Sequence, residues 1–114
     1  MSGIADANIT YSRIIGIVIA LIGIIGFFNN PVFGILGVNM ASNIVHLLGG
    51  LLIAWKPGKG TNNILGWTAL VAGVMGFIPT VSVITNSWLG YNTPSNVLHI
   101  AIGLASLGIA KWAE

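Results

Sequence analysis

Two histidines carry most of the side-chain chemistry that this sequence offers. Each follows an asparagine by three residues and precedes a glycine by four. The sets are Asn43, His46 and Gly50 in "SNIVHLLGG" and Asn96, His99 and Gly103 in "SNVLHIAIG". At those spacings the three residues of a set share one face of a helix. An imidazole can titrate, ligate a metal, or donate and accept hydrogen bonds, so its available partners decide its role. Cysteine is absent, and the only acidic residues are Asp6 and Glu114, near the two ends. That excludes a thiolate nucleophile and a histidine oriented by an acid beside a serine. Ser42 and Ser95 read as helix-start residues, no catalytic residue is expected, and the protein is read as not an enzyme. A metal centre is not expected either, since two imidazoles supply half of the usual zinc ligands.

The elements that hold these residues follow from composition. The 114 residues are 55% hydrophobic and 5% charged, with a mean hydropathy of +0.94. Soluble domains carry about 25% charged residues. No charge occurs from Ile14 to Trp55 or from Gly60 to Ala110. A bilayer-spanning helix needs about 20 residues, so each window holds two spans and a connection. The expected fold is an all-α membrane protein, one domain over 1–114 with four transmembrane helices. Ile14 to Phe28 follows Arg13 as a signal peptide's apolar region would, but "NNPVFG" stands where a small-residue cleavage site belongs, so the run reads as a span.

Turn residues place the helices at about 11–28, 41–56, 63–79 and 94–112. Asn29-Asn30-Pro31 stops the first, because proline lacks the N–H and restricts its predecessor. Pro57-Gly58 marks the second connection, and Pro79 closes or kinks the third helix. Pro94 suits a first turn behind a cap at Asn92 or Thr93. Arg13, Lys56, Lys59 and Lys111 then all fall on one side, and the loops at about 29–40 and 80–93 carry no charge. Basic residues near helix ends mark the cytoplasmic side, so both termini are expected there, in a prokaryotic cytoplasmic (inner) membrane. Trp55, Trp88, Tyr91 and Trp112 fit the interfacial aromatic belts. The pI near 9.4 reflects this topology and not a nucleic-acid surface.

The chain also repeats. "LGVNMASNIVHLLGGL" (36–51) aligns with "LGYNTPSNVLHIAIGL" (89–104) at an offset of 53, and "GIIGF" (23–27) with "GVMGF" (73–77) at an offset of 50. This predicts two parallel-repeated helical hairpins, about 11–59 and 63–112, related by an axis along the membrane normal. A polar group facing lipid is costly, so both Asn/His/Gly stripes are expected to turn inward, with helices 2 and 4 meeting at His46 and His99. Gly50 and Gly103 would permit close packing, as would Gly16/Ala20 and Ala69/Gly73 on helices 1 and 3.

On Asn30-Pro31 before a helix carrying Asn43, His46 and Gly50, repeated as Asn96, His99 and Gly103, the chain resembles an uncharacterised family of small four-helix prokaryotic integral membrane proteins, a domain of unknown function with Asn-x-x-His and a downstream Gly in the second helix. The second copy departs from that pattern, with Thr93-Pro94 where the first has Asn-Pro. The resemblance implies four spans and no activity. The function expected is that of a structural or accessory subunit of a membrane assembly, in which the intramembrane Asn/His cluster locks helices 2 and 4. Its partners would be the lipid bilayer and other membrane subunits or further copies. Two alternatives stand beside it. His46 and His99 could be axial ligands of a b-type haem, or one of them the ligand of a chlorophyll. An oligomer could instead line a channel or transporter for a small solute.

Overall fold

Asparagine opens two of the helices in the same way. The computed structural model describes residues 3–113, so Glu114 lies outside the described residues. Helix α2 (Met40–Trp55) is capped by Asn39, whose side chain accepts from the Ser42 amide while the Ser42 hydroxyl accepts from the Asn39 amide. Helix α4 (Thr93–Trp112) starts behind Asn92, which accepts from the Ser95 amide, with Pro94 in the first turn. Each cap satisfies amides that have no partner inside the helix. The two other helices are α1 (Gly3–Gly26) and α3 (Lys59–Met75).

The boundaries of α1 and α3 differ from the sequence expectation. Helix α1 begins eight residues before position 11, because nothing breaks the helix there and Asn8 ties the extra turns to the rest of the molecule: Asn62 Nδ2 donates to its Oδ1 at 2.9 Å, and Asn8 Nδ2 donates to the Ala113 carbonyl at 3.3 Å. Helix α3 stops at Gly76, well before Pro79, where the Asn96 side chain packs against a glycine that has no Cβ to obstruct it. The following loop holds a short π-helical segment, Val83–Trp88, which the sequence did not announce.

The chain is all-helical among its described residues, with α1 packed along α2 and α3 along α4. Both seams are built on glycine. A methyl on Gly16 would come within 2.6 Å of the Ala54 nitrogen, and one on Gly23 within 2.6 Å of the Leu47 nitrogen. In the second hairpin, Gly73 would meet the Asn96 carbonyl at 2.6 Å and Gly103 the Leu70 nitrogen at 2.6 Å. Backbone therefore lies against backbone, the contact that small residues permit. Gly16, Gly23 and Gly26 of the first seam stand 50 residues before Gly66, Gly73 and Gly76 of the second, and Gly50 stands 53 before Gly103.

The distribution of side chains is inverted relative to a water-soluble bundle. The interior holds Asn8, Ser12, Asn43, Asn62, Asn96 and Ser106, all buried, while its buried apolar residues are mostly small. Large apolar residues face outward on all four helices: Ile14 is 59% exposed, Leu48 57%, Ile64 71% and Leu104 58%. Two segments, Ala7–Gly26 and Thr93–Trp112, are long and apolar enough to cross a membrane, and Met40–Trp55 is a shorter apolar helix. The four expected spans are thus matched at full length by two helices. Trp55, Trp88 and Trp112 are exposed as interfacial belts require, but Tyr91 is not: it is 6% exposed and packed inside.

Candidate functional site

The loops before α2 and α4 lock into each other. Asn39 Nδ2 donates to the Trp88 carbonyl at 2.9 Å, and Asn92 Nδ2 donates to the Ile35 carbonyl, also at 2.9 Å. Between them Gly37 lies so close to Gly90 that a Cβ would sit 2.7 Å from the Gly90 oxygen. Gly90 adopts φ 73°, a left-handed conformation that glycine takes without a Cβ penalty. That turn delivers Tyr91 between the two histidines.

His46 and His99 are each the seventh residue of their helices, and they meet as the sequence suggested. Their ring centroids are 5.8 Å apart. The Tyr91 ring completes a triangle, 4.5 Å from His99 and 5.9 Å from His46, stacked within 11° on the latter. The Tyr91 hydroxyl is hydrogen-bonded to His46 Nε2 at 3.1 Å. Burial pushes the Tyr91 phenol up from 10.0 to about 12, so it remains protonated. His99 Nδ1 lies 2.6 Å from the Ser95 carbonyl. A carbonyl can only accept, so Nδ1 carries the proton and Nε2 of the neutral ring presents a lone pair. His46 Nδ1 is buried without a partner.

The asparagines do not join the histidines. Asn43 packs on Gly26 and Asn96 on Gly76, each against its own hairpin partner. Asn96 Nδ2 donates to Asn86 Oδ1 at 3.1 Å, and Asn86 Nδ2 donates to the Gly76 carbonyl at 3.2 Å. Gly50 and Gly103 likewise face α1 and α3. The expectation of one Asn/His cluster locking α2 to α4 is therefore corrected. His46 sits at the edge of its stripe, and the centre of that stripe is consumed by the intra-hairpin seam, where close backbone approach needs the glycine.

A second polar group at the opposite end has no counterpart in the sequence reading. Ser12 Oγ donates to Asn62 Oδ1 at 2.6 Å and accepts from the Gly58 amide at 3.1 Å. Asn62 Nδ2 reaches both Asn8 Oδ1 and the Asn8 carbonyl, and the Tyr11 and Ser106 hydroxyls are 2.7 Å apart. This knot ties α1, α3, α4 and the turn between α2 and α3. Its signal was uncharged polar residues close to Arg13 and Lys59 in the sequence, where Asn8 and Asn62 resemble ordinary helix-end residues. Since Ser12 is level with Gly58, Arg13 stands at the same end as Lys56 and Lys59.

Between the two polar ends the hairpins diverge around an apolar cleft of about 550 Å³. His46, Tyr91 and His99 line one end and Lys56 and Thr61 the opposite end; Gly49, Ile53, Leu65 and Ala72 contribute to the wall between. Val45, Leu52 and Ile64 line it while remaining more than half exposed, so the cleft opens sideways. Bis-histidine haem does not fit this arrangement. His46 Nε2 is engaged by Tyr91, and the Tyr91 ring fills the space beside His99 that a macrocycle would need. A chlorophyll, which takes one axial ligand, would have only His99 Nε2, beneath that same ring. Among the described residues, no group of three metal-ligating side chains occurs.

The fold and site define an all-helical protein of two packed hairpins with two membrane-capable helices. No protein-family model, curated protein or solved structure matches the chain, so the resemblance to the small four-helix membrane proteins rests on its Asn-x-x-His…Gly residues alone.

Proposed function

We propose that the protein is a non-enzymatic integral membrane protein of four spans, built of two parallel-repeated hairpins, with both termini cytoplasmic in a prokaryotic inner membrane. It serves as a structural or accessory subunit of a membrane assembly. One observation carries this reading: large apolar residues cover the outside of all four helices, while Asn8, Ser12, Asn62 and Ser106 are buried inside and hydrogen-bonded between helices.

Helices α2 and α3, with 16 and 17 residues, rise about 24 and 26 Å against a hydrocarbon core of about 30 Å. The outer loops make up the difference. Phe27, Phe28 and Phe33 expose apolar surface beyond α1 and α2, as do Phe77, Ile78 and Trp88 beyond α3 and α4, and small mismatches are otherwise absorbed by local thinning of the bilayer. Lys56 over the Trp55 ring at 4.8 Å and Lys111 over Trp112 at 5.6 Å suit a cytoplasmic interface. The channel alternative gains little from the cleft, whose wall between its polar ends is apolar apart from the lone hydroxyl of Thr68.

The assembly is tested by extracting the protein from native membranes in mild detergent and sizing it by native electrophoresis and light scattering. A particle holding several copies, or other membrane subunits in fixed ratio, is expected, with no solute flux after reconstitution. A lone 11.9 kDa chain that conducts a solute in liposomes would contradict the proposal.

A further inference from the structure

The cleft has a built end that the contacts within the protein do not use up. Among the described residues none donates a hydrogen bond to His99 Nε2, and its lone pair is fixed by the Nδ1 donation to Ser95. The Tyr91 hydroxyl, whose ring packs on His99, keeps a free lone pair while bonded to His46. Both side chains line the outer end of the cavity, where no charged group stands. A ligand group that satisfies Nε2 must donate a proton without carrying a charge. Away from that end the α2 wall is apolar for nine residues, from Leu47 to Trp55, and ten steps separate His46 from Lys56, a rise of about 15 Å. The volume of about 550 Å³ lies within the range of about 300–1,000 Å³ typical of small-molecule sites. Gly49 keeps the passage open: a Cβ added there would meet nothing within 4 Å.

We infer that the cleft binds a neutral, hydroxyl-headed membrane amphiphile, with its O–H donated to His99 Nε2 and its chain laid between the hairpins past Gly49. The side opening along Val45, Leu52 and Ile64 admits it from the bilayer. This rests on the membrane reading above. A carboxylate-headed chain is the competing occupant, since its charge would seek Lys56 at the inner end.

The test uses two photoreactive probes that share one diazirine-bearing sixteen-carbon-type chain, one ending in an alcohol and one in a carboxylate. The full-length protein is placed in phosphatidylcholine nanodiscs, irradiated, and mapped by peptide mass spectrometry. The alcohol is expected to label α2 and α3 around Gly49 and Ala72 saturably, with competition by unlabelled long-chain alcohol. Gly49→Phe fills the cleft without touching a seam and should cut labelling about tenfold, with Gly49→Leu intermediate; His99→Phe should reduce the preference for alcohol over carboxylate by about tenfold, the loss of one good hydrogen bond. Thermal unfolding in the same discs shows that the variants are folded. Labelling spread equally over the outer face of α1 at Ile14 and Ile17, unchanged by Gly49→Phe, would overturn the site. Preference for the carboxylate, lost in Lys56→Gln, would overturn the head-group assignment. A chain that fails to float with the discs would refute the membrane reading instead, before any irradiation.

Discussion

The seams within the hairpins and the joint between them are built on opposite principles. Within a hairpin, glycines bring backbones together over the whole length of the helices, and large side chains are sent outward. Between hairpins the contacts sit at the two ends, a His46–Tyr91–His99 group with crossed Asn39 and Asn92 loop bonds at one and an Asn8–Ser12–Asn62 knot at the other. The middle is left open. In a bilayer, lipid tails are as apolar as leucine, so close packing and hydrogen bonds must hold helices together. Here one mechanism makes the units and the other joins them, and the joint alone leaves room for a ligand.

Glycine substitution in a seam should do the most damage. Gly50→Leu would drive its side chain into the α1 backbone, with the Gly16 oxygen 2.5 Å from its Cβ, and Gly103→Leu would do the same to α3. Each should cost about 3 kcal/mol or more in denaturant-titrated unfolding followed by circular dichroism, because the obstacle is backbone that cannot give way. The neighbouring Gly49→Leu should stay within about 0.5 kcal/mol of wild type, a contrast between adjacent glycines that breaks the account if absent.

Next in size is the inner knot. Asn62→Leu removes its bond to Ser12 and leaves Asn8 Oδ1 without a donor, and a buried polar group left unpaired costs about 1–3 kcal/mol; the hairpins should loosen while each stays helical, seen as faster amide exchange at the turn around Gly58. At the outer end, Tyr91→Phe removes one hydrogen bond, with an expected loss of about 0.6–2 kcal/mol in the same titration. Tyr91 also sets an alkaline limit. Its folded value is raised from 10.0 to about 12, so its contribution is complete below pH 10 and is lost as pH rises towards 12, while the unfolded phenol ionises first. That part of the pH dependence should vanish in Tyr91→Phe.

The sequence made the meeting of His46 and His99 legible because two copies of one motif at equal depth on helices of like direction leave few other arrangements. It also made the start of α4 legible, with Asn92, one of two cap candidates before Pro94, as the cap; the matching cap of α2 at Asn39 emerges only in the structure. The direction of the stripes was not legible. Asn43 and Gly50 share a face with His46, and periodicity cannot say which neighbour that face meets; close packing against Gly26 and Ala20 decides it. Tyr91 reads as an interfacial aromatic until the left-handed turn at Gly90 aims it inward. The inner knot was hidden because Asn62 lies 50 residues beyond Ser12 and only the return of the chain through α2 brings α3 back beside α1.

The four spans can be counted in the membrane itself, because the sequence has no native cysteine. Single cysteines at Phe28, Lys59 and Thr80, all exposed, would be probed on intact cells with an impermeant maleimide, before and after permeabilisation. Four spans predict that Phe28→Cys and Thr80→Cys react from outside and that Lys59→Cys reacts only once the membrane is opened. If Lys59→Cys reacts from outside together with the other two, α2 and α3 do not cross and only α1 and α4 span the bilayer.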